Sequence, residues 1–324
     1  MILRIKRRIL KNFFYLITSL VFLCIFLAAL SLEGNFVIGT NITNVTVTAK
    51  VNVTNTEPYL YLVRITNPAT PIDLTAGGVT VVTCNGSASD VNGYTDITNV
   101  SATFYQVEVG SGAINDNNTH YINSSCGNCS AVPGTNNQNA SCLCQFPIQY
   151  YANPGTWQCN MTINDSGGLP SFYNSSYVTV NEVLGIGVEN LTLDYGSLAV
   201  TQISPAIRKN VTNLGNIPIN VSVRSFGGGD EDIGINLTMI CELGTNITFG
   251  YQRYYPFDSS INFGSMINIT NQSRQIVNFT LPQRNDDWTY GNSSNSTFWK
   301  LQVPSQAAGI CNGTIVFRAI SAIP

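Results

Sequence analysis

Four cysteines in two short runs, Cys126-Gly-Asn-Cys129 and Cys142-Leu-Cys144, are spaced for chemistry. As thiolates they would suit zinc, which takes four such ligands tetrahedrally. In an oxidising compartment they would instead close two disulfides. Cys126 and Cys129 would each pair with one of Cys142 and Cys144, because a bridge within Cys142-Leu-Cys144 is strained. A second candidate site is built from oxygen. In "SDVNGYTDI", Asp90, Asn92 and Asp96 stand at positions 1, 3 and 7 around Gly93, like the opening of a calcium loop that lacks its closing bidentate Glu. The same residues also make an ordinary turn. "GGGDED" at 227–232 has the same two readings, a cation holder or a solvated turn.

Catalysis finds little to work with. His120 is the only histidine, which excludes a multi-histidine metal site and leaves one poor candidate for a histidine-based triad. Asp286 and Asp287 beside Trp288 are the only carboxylates in a distinctive aromatic setting. With "YQRYYPFD" at 251–258 they suggest aromatic loops that would stack on sugar rings, although such loops commonly pack on a sandwich rim. The expectation is a non-enzyme with no cofactor beyond the calcium candidate.

The most abundant chemistry is that of asparagine. The chain holds 38 Asn and 58 Ser plus Thr, from which composition alone gives roughly seven Asn-x-Ser/Thr triplets; it has 23 without Pro at x. In a strand, residues two apart share a face, so packing alone favours polar-apolar-polar triplets. Packing does not explain why a poor strand former such as Asn dominates these faces. Many sites therefore read as glycan acceptors, with Asn44, Asn52, Asn99, Asn117, Asn160, Asn190, Asn210, Asn236, Asn246, Asn278 and Asn312 as candidates.

Acceptors of this kind must be exported, and the N-terminus supplies a route. Arg4, Lys6, Arg7, Arg8 and Lys11 form a basic tail over 1–12, followed by an uncharged apolar run over 13–32. That is the signature of a secretion signal or a membrane anchor, with the basic end in the cytoplasm. Cleavage after Ser31, with Ala29 at −3, is the alternative to an anchor. The run reaches the roughly 20 residues that a spanning helix needs. Beyond residue 32 there are ten basic against eighteen acidic residues, which argues against nucleic acid as a partner. Only 10 % of residues are charged while 44 % are hydrophobic, so solubility rests on amides, hydroxyls and attached sugar.

The elements positioning these residues read as strands. Residues 40–57, "TNITNVTVTAKVNVTNTE", alternate Val45, Val47, Ala49, Val51 and Val53 with polar residues, the period of a half-buried strand, here connecting at 33–56. Further runs at 59–65, 77–84, 101–109, 156–163 and 176–180 predict one set of strands. Those at 217–223, 234–241, 274–281, 296–303 and 311–320 predict a second, with a junction near 182–188. The expected fold is all-β: two tandem β-sandwich domains, 57–183 and 184–324, after the N-terminal helix.

"VTVVTC" ending at Cys84 and "GTWQCNMTINDSGG" around Cys159 resemble strands B and F of an immunoglobulin-like domain. The resemblance covers about 57–182, with Trp157 standing where that family usually has its corner Tyr. It implies an inter-sheet Cys84–Cys159 bridge, and a matching Cys241–Cys311 bridge in the second domain. The anchor, dense triplets and cysteine-bridged sandwiches together look like exported surface proteins of archaea. The function expected is that of a cell-surface glycoprotein with a structural or adhesive role, contacting other surface proteins or glycans and able to self-associate. Two alternatives stand beside it: a filament subunit donating strand 43–54 to a neighbour, and a carbohydrate-binding or glycan-acting protein.

Overall fold

The computed structural model of the chain describes residues 14–24, 46–286 and 292–322. The basic tail, the cleavage position, Asn44, Val45 and residues 287–290 of the second aromatic run lie outside them. Residues 14–24 are helical. Among the described residues no helix is long and apolar enough to cross a membrane. The chain divides into two units, Met1–Thr54 and Asn55–Pro324.

In the larger unit, nine strands come first: β1 (Tyr59–Asn67), β2 (Val79–Ser89), β3 (Ile97–Gln106), β4 (His120–Asn123), β5 (Ser130–Ala131), β6 (Asn139–Gln149), β7 (Gly155–Asp165), β8 (Pro170–Asn174) and β9 (Val178–Val180). They form antiparallel sheets of order β1-β2-β6-β5 and β4-β3-β7-β8, with β9 on β7. One core lies between them. Leu60, Val82, Cys84, Ala140, Cys142, Cys144, Phe146 and Ile148 face Ala102, Phe104, Trp157, Cys159, Met161 and Ile163. Every second residue of β6 and β7 is buried, which is the period-2 consequence of packing sheet on sheet. Trp157 stacks on Phe104 with centroids 4.9 Å apart, and its Nε1 donates to Asn153 O at 2.9 Å.

Nine more strands follow: β10 (Ile186–Val188), β11 (Ile207–Asn213), β12 (Ile219–Gly227), β13 (Ile240–Gly244), β14 (Gln252–Pro256), β15 (Ile267–Asn268), β16 (Arg274–Leu281), β17 (Ser294–Leu301) and β18 (Ala307–Ser321). Their sheets, β10-β11-β17-β14-β15 and β13-β18-β12-β16, enclose Val211, Ile219, Val221, Val223, Tyr254, Phe279 and Trp299.

The two sheet pairs meet at a junction filled with hydrogen bonds. Asn216, fully buried, donates to Asn181 O at 2.9 Å and accepts from Val183 N at 2.6 Å. A Cβ on Gly215 would sit 2.0 Å from Val183 O, so only glycine fits this approach. Asn118 Nδ2 donates to Tyr151 O and Arg284 O, both at 2.9 Å, and the Arg284 guanidinium lies 4.8 Å over the Tyr151 ring.

Four expectations are corrected. Residues 46–58 belong to no strand: their alternation is real, but they pair with nothing among the described residues, and Val47, Val51 and Val53 are 76–82 % exposed. Residues 234–241 are not one strand. Asp230 caps a one-turn helix, Glu231–Gly234, by accepting from Asp232 N at 3.0 Å, and pairing resumes only at Ile240. This capped turn, tied by the Arg224–Glu231 ion pair, is also what "GGGDED" builds. "YQRYYPFD" is largely strand β14 rather than an aromatic loop, with Tyr254 buried against Trp299 at 5.2 Å. Finally, β6 and β11 are strands that the expected set lacks.

Candidate functional site

The eight cysteines beyond Cys24 form four bridges. Cys84–Cys159 joins β2 to β7 across the first sandwich, and Cys241–Cys311 joins the paired strands β13 and β18. Cys126–Cys144 and Cys129–Cys142 tie residues 126–129 to β6, which resolves the open pairing and takes all four thiols away from zinc.

The asparagine triplets sort by burial. Twenty-one of the 23 lie among the described residues, and every one of those asparagines is at least partly exposed. Among the described residues the three buried asparagines, Asn118, Asn213 and Asn216, are none of them the acceptor of a triplet (Asn118 is the middle residue of the Asn117 triplet), and all are bonded to backbone carbonyls. Among the candidates, Asn52, Asn99, Asn190, Asn236, Asn278 and Asn312 are exposed, whereas Asn117, Asn160, Asn210 and Asn246 are half-buried. The half-buried side chains already have partners: Asn117 donates to Asp286 Oδ1 at 2.6 Å, Asn160 to Asn174 Oδ1 at 2.7 Å and Asn210 to Glu189 Oε2 at 2.8 Å, while Asn246 accepts from Cys241 N at 2.9 Å.

The calcium candidate is rearranged. Asn92 is exposed, and its Oδ1 accepts from Thr56 N at 2.9 Å instead of turning toward the carboxylates. Its place beside Asp90 and Asp96 is taken by Asp165, from the end of β7. Asp165 pairs with Ile97, next to Asp96, while Asp96 Oδ1 accepts from Ser166 Oγ. Asp90 and Asp165 are 1 % and 2 % exposed, and one carboxylate oxygen on each of the three aspartates is buried without a hydrogen-bond partner. Among the described residues no group of three His, Cys, Asp or Glu is arranged to hold a metal ion. Burial raises the Asp90 carboxyl above its ordinary pKa. Asp96 and Asp165 add to the rise, against the Asn92 N–H that hydrogen-bonds the carboxylate at 2.8 Å.

The sign of the pH effect follows. A carboxylate that is harder to ionise in the native state destabilises it above the folded pKa, and the penalty disappears as pH falls below the unfolded one. Asp90→Asn keeps the acceptor for Asn92 N and adds N–H donors facing the other two carboxylates. Its melting temperature is expected to exceed the parent's by a few degrees at pH 7, with the gap closing toward pH 3, as thermal melts across pH would read. A variant less stable than the parent at neutral pH would show that the ionised group is tolerated.

His120 is fully buried. Its Nε2 lies 3.1 Å from Ser111 O and its ring sits beside Tyr105, an environment of packing rather than of a nucleophile. Asp286 belongs to the junction, accepting from Asn117 and from Tyr151 OH at 3.3 Å.

No family model matches the chain, and no curated protein matches its sequence. Among solved structures, a chaperone–tip adhesin complex of CFA/I fimbriae is similar at 9 % identity, over 83 % of this chain and 92 % of that one, with a TM-score of 0.28. A carbohydrate-binding module of the β-sandwich superfamily is similar at 12 % identity over 83 % and 98 %, with a TM-score of 0.23. The C-terminal domain of the Streptococcus agalactiae AgI/II polypeptide BspA is similar at 8 % identity over 82 % and 96 %, with a TM-score of 0.22. Similarity at this level carries no argument about this chain.

Proposed function

We propose that this chain is an exported, N-glycosylated cell-surface protein with a structural or adhesive, non-catalytic role, held by its N-terminal segment or released by cleavage of it. Its bulk is two tandem sandwich domains, 57–183 and 184–324, the first immunoglobulin-like. In support of that reading, β1-β2-β6-β5 against β4-β3-β7-β8 follows the ABED and CFG orders, with one strand added beside C. The Trp157 indole also bonds back to Asn153 O, much as a corner tyrosine bonds upstream backbone.

The observation that carries the proposal is the sorting of asparagine. A sugar needs an amide that reaches solvent, and among the described residues no buried asparagine is the acceptor of a triplet. Four disulfides fit an oxidising exterior. Partners are then met through sugar and uncharged polar surface, on other surface proteins or glycans.

Glycopeptide mass spectrometry on protein from its own host tests this. Sugar is expected at several exposed sites, Asn52, Asn99, Asn190, Asn236, Asn278 and Asn312 ahead of Asn117, Asn160, Asn210 and Asn246. A cytosolic protein with reduced thiols and no sugar mass would end the proposal.

A further inference from the structure

The second sandwich is open along one side. Gly313–Ser321 of β18 hydrogen-bonds to β12, and the pairings of β13 stop at Asn312. Among the described residues, the eight positions Gly313–Ile320 therefore have a strand partner on one edge only. Their inward side chains show the consequence. Ile315, Phe317 and Ala319 are only partly buried, whereas Ile219, Val221 and Val223 of neighbouring β12 are at most 1 % exposed. The facing sheet ends in β10, just three residues long. Between β10 and β18 runs a groove of about 570 Å³, lined by Ile186, Val188, Leu191, Trp299, Ile315 and Phe317 among others. Leu191 on its wall is 93 % exposed. The one cation lining the groove, Lys209, is already spent: its Nζ donates to Asn190 O at 2.6 Å and to Thr192 O, holding that wall in place.

The same chain carries a segment with the complementary pattern. Residues 46–54 are nine long, pair with nothing among the described residues, and alternate Val47, Ala49, Val51 and Val53 with Thr, Lys and Asn. Their valines are exposed and Lys50, their only charge, lies in the polar register, as does Asn52, so a sugar on Asn52 would face away from any surface the valines cover. An unpaired strand edge beside an apolar groove takes an added strand through main-chain hydrogen bonds, with alternate side chains filling the groove.

The geometry points to self-assembly by strand addition: residues 46–54 of one copy lie along Gly313–Ile320 of a second, with Val47, Ala49, Val51 and Val53 turned into the β10–β18 groove. The occupant is a second copy because Thr56 N donates to Asn92 Oδ1, which holds the segment at the Asp165 end of β7, an eleven-residue strand of about 36 Å whose Gly155 end is the one turned toward the second sandwich. The inference stands on this edge and groove, and holds whether or not the surface-glycoprotein reading does.

Light scattering after size exclusion, over a concentration series of the full chain, tests it alongside hydrogen exchange. The wild type is expected at twice the monomer mass or more, with those amides of Gly313–Ile320 that point away from β12 protected. Val47→Asp/Val51→Asp changes two exposed side chains, so it should keep the parent's melting temperature while running as a monomer with those amides exchanging. A synthetic peptide of residues 45–54 in excess should return the wild type to monomer mass and still protect the edge-facing amides of Gly313–Ile320. Three results would each overturn the proposal: a wild type monomeric at every concentration, a double variant that associates like its parent, or a monomer in which Val47–Val53 are protected, which would place the segment in its own chain.

Discussion

Cys84→Ala/Cys159→Ala is expected to lose about 4 kcal/mol of stability, the chain-entropy value for a bridge spanning 75 residues. Both cysteines are fully buried, and both sit among core residues from the two facing sheets. The pair therefore does two things. It shortens the unfolded chain, and it fixes β2 against β7 where no backbone hydrogen bond links the sheets. Denaturant titration under non-reducing conditions reads the loss as a lower midpoint with little change in slope. The neighbouring bridges give a contrast. Cys126–Cys144 and Cys129–Cys142 span only 18 and 13 residues and are nested, so removing both should cost less than twice the roughly 3 kcal/mol of a single 15-residue loop. A Cys84/Cys159 variant within about 1 kcal/mol of the parent would mean that the unfolded chain is already confined by other contacts.

Trp157→Ala should be comparably severe, at about 3–5 kcal/mol for the cavity alone. The indole is fully buried, stacks on Phe104, lies 6.1 Å from Tyr121 and satisfies Asn153 O. Trp157→Phe separates these contributions. It keeps most of the packing and leaves the carbonyl without its donor, so about 1–3 kcal/mol should remain. If Phe were as damaging as Ala, the hydrogen bond at the corner, rather than core volume, would be what fixes the entry into β7.

The sequence reports faces better than partners. Strand β16 occupies Arg274–Leu281, the very residues of its run, because polar turn residues on either side of the apolar ones leave little choice of ends. An irregularity at Asn278, whose φ is 58°, breaks the alternation, so that Ile276, Phe279 and Leu281 are the buried residues. The alternation at 46–54 is clear, yet no strand lies beside it: periodicity shows that one face is apolar, not what covers it. β6 was hidden by its own chemistry. Cys142 and Cys144 read as a loop staple, and Pro147 argues against a strand, although β5 reaches only Ala140 and Ser141 and leaves the edge open at Pro147, where a missing N–H is tolerated. β11 was hidden by Arg208 and Lys209. Lys209 is buried only because two carbonyls receive its ammonium. At the carboxylate cluster, Asp90 and Asp96 were legible as neighbours, but Asp165 lies some seventy residues on, and no local spacing could have joined it to them.

The Arg224–Glu231 contact is the one ion pair between described residues. With only 10 % of residues charged and one such pair, a surface made largely of amides and hydroxyls gives salt little attraction to screen. The fold should therefore resist unfolding about equally in fresh water and in brine. A protein built this way meets a changing ionic environment by having little for the ions to act upon.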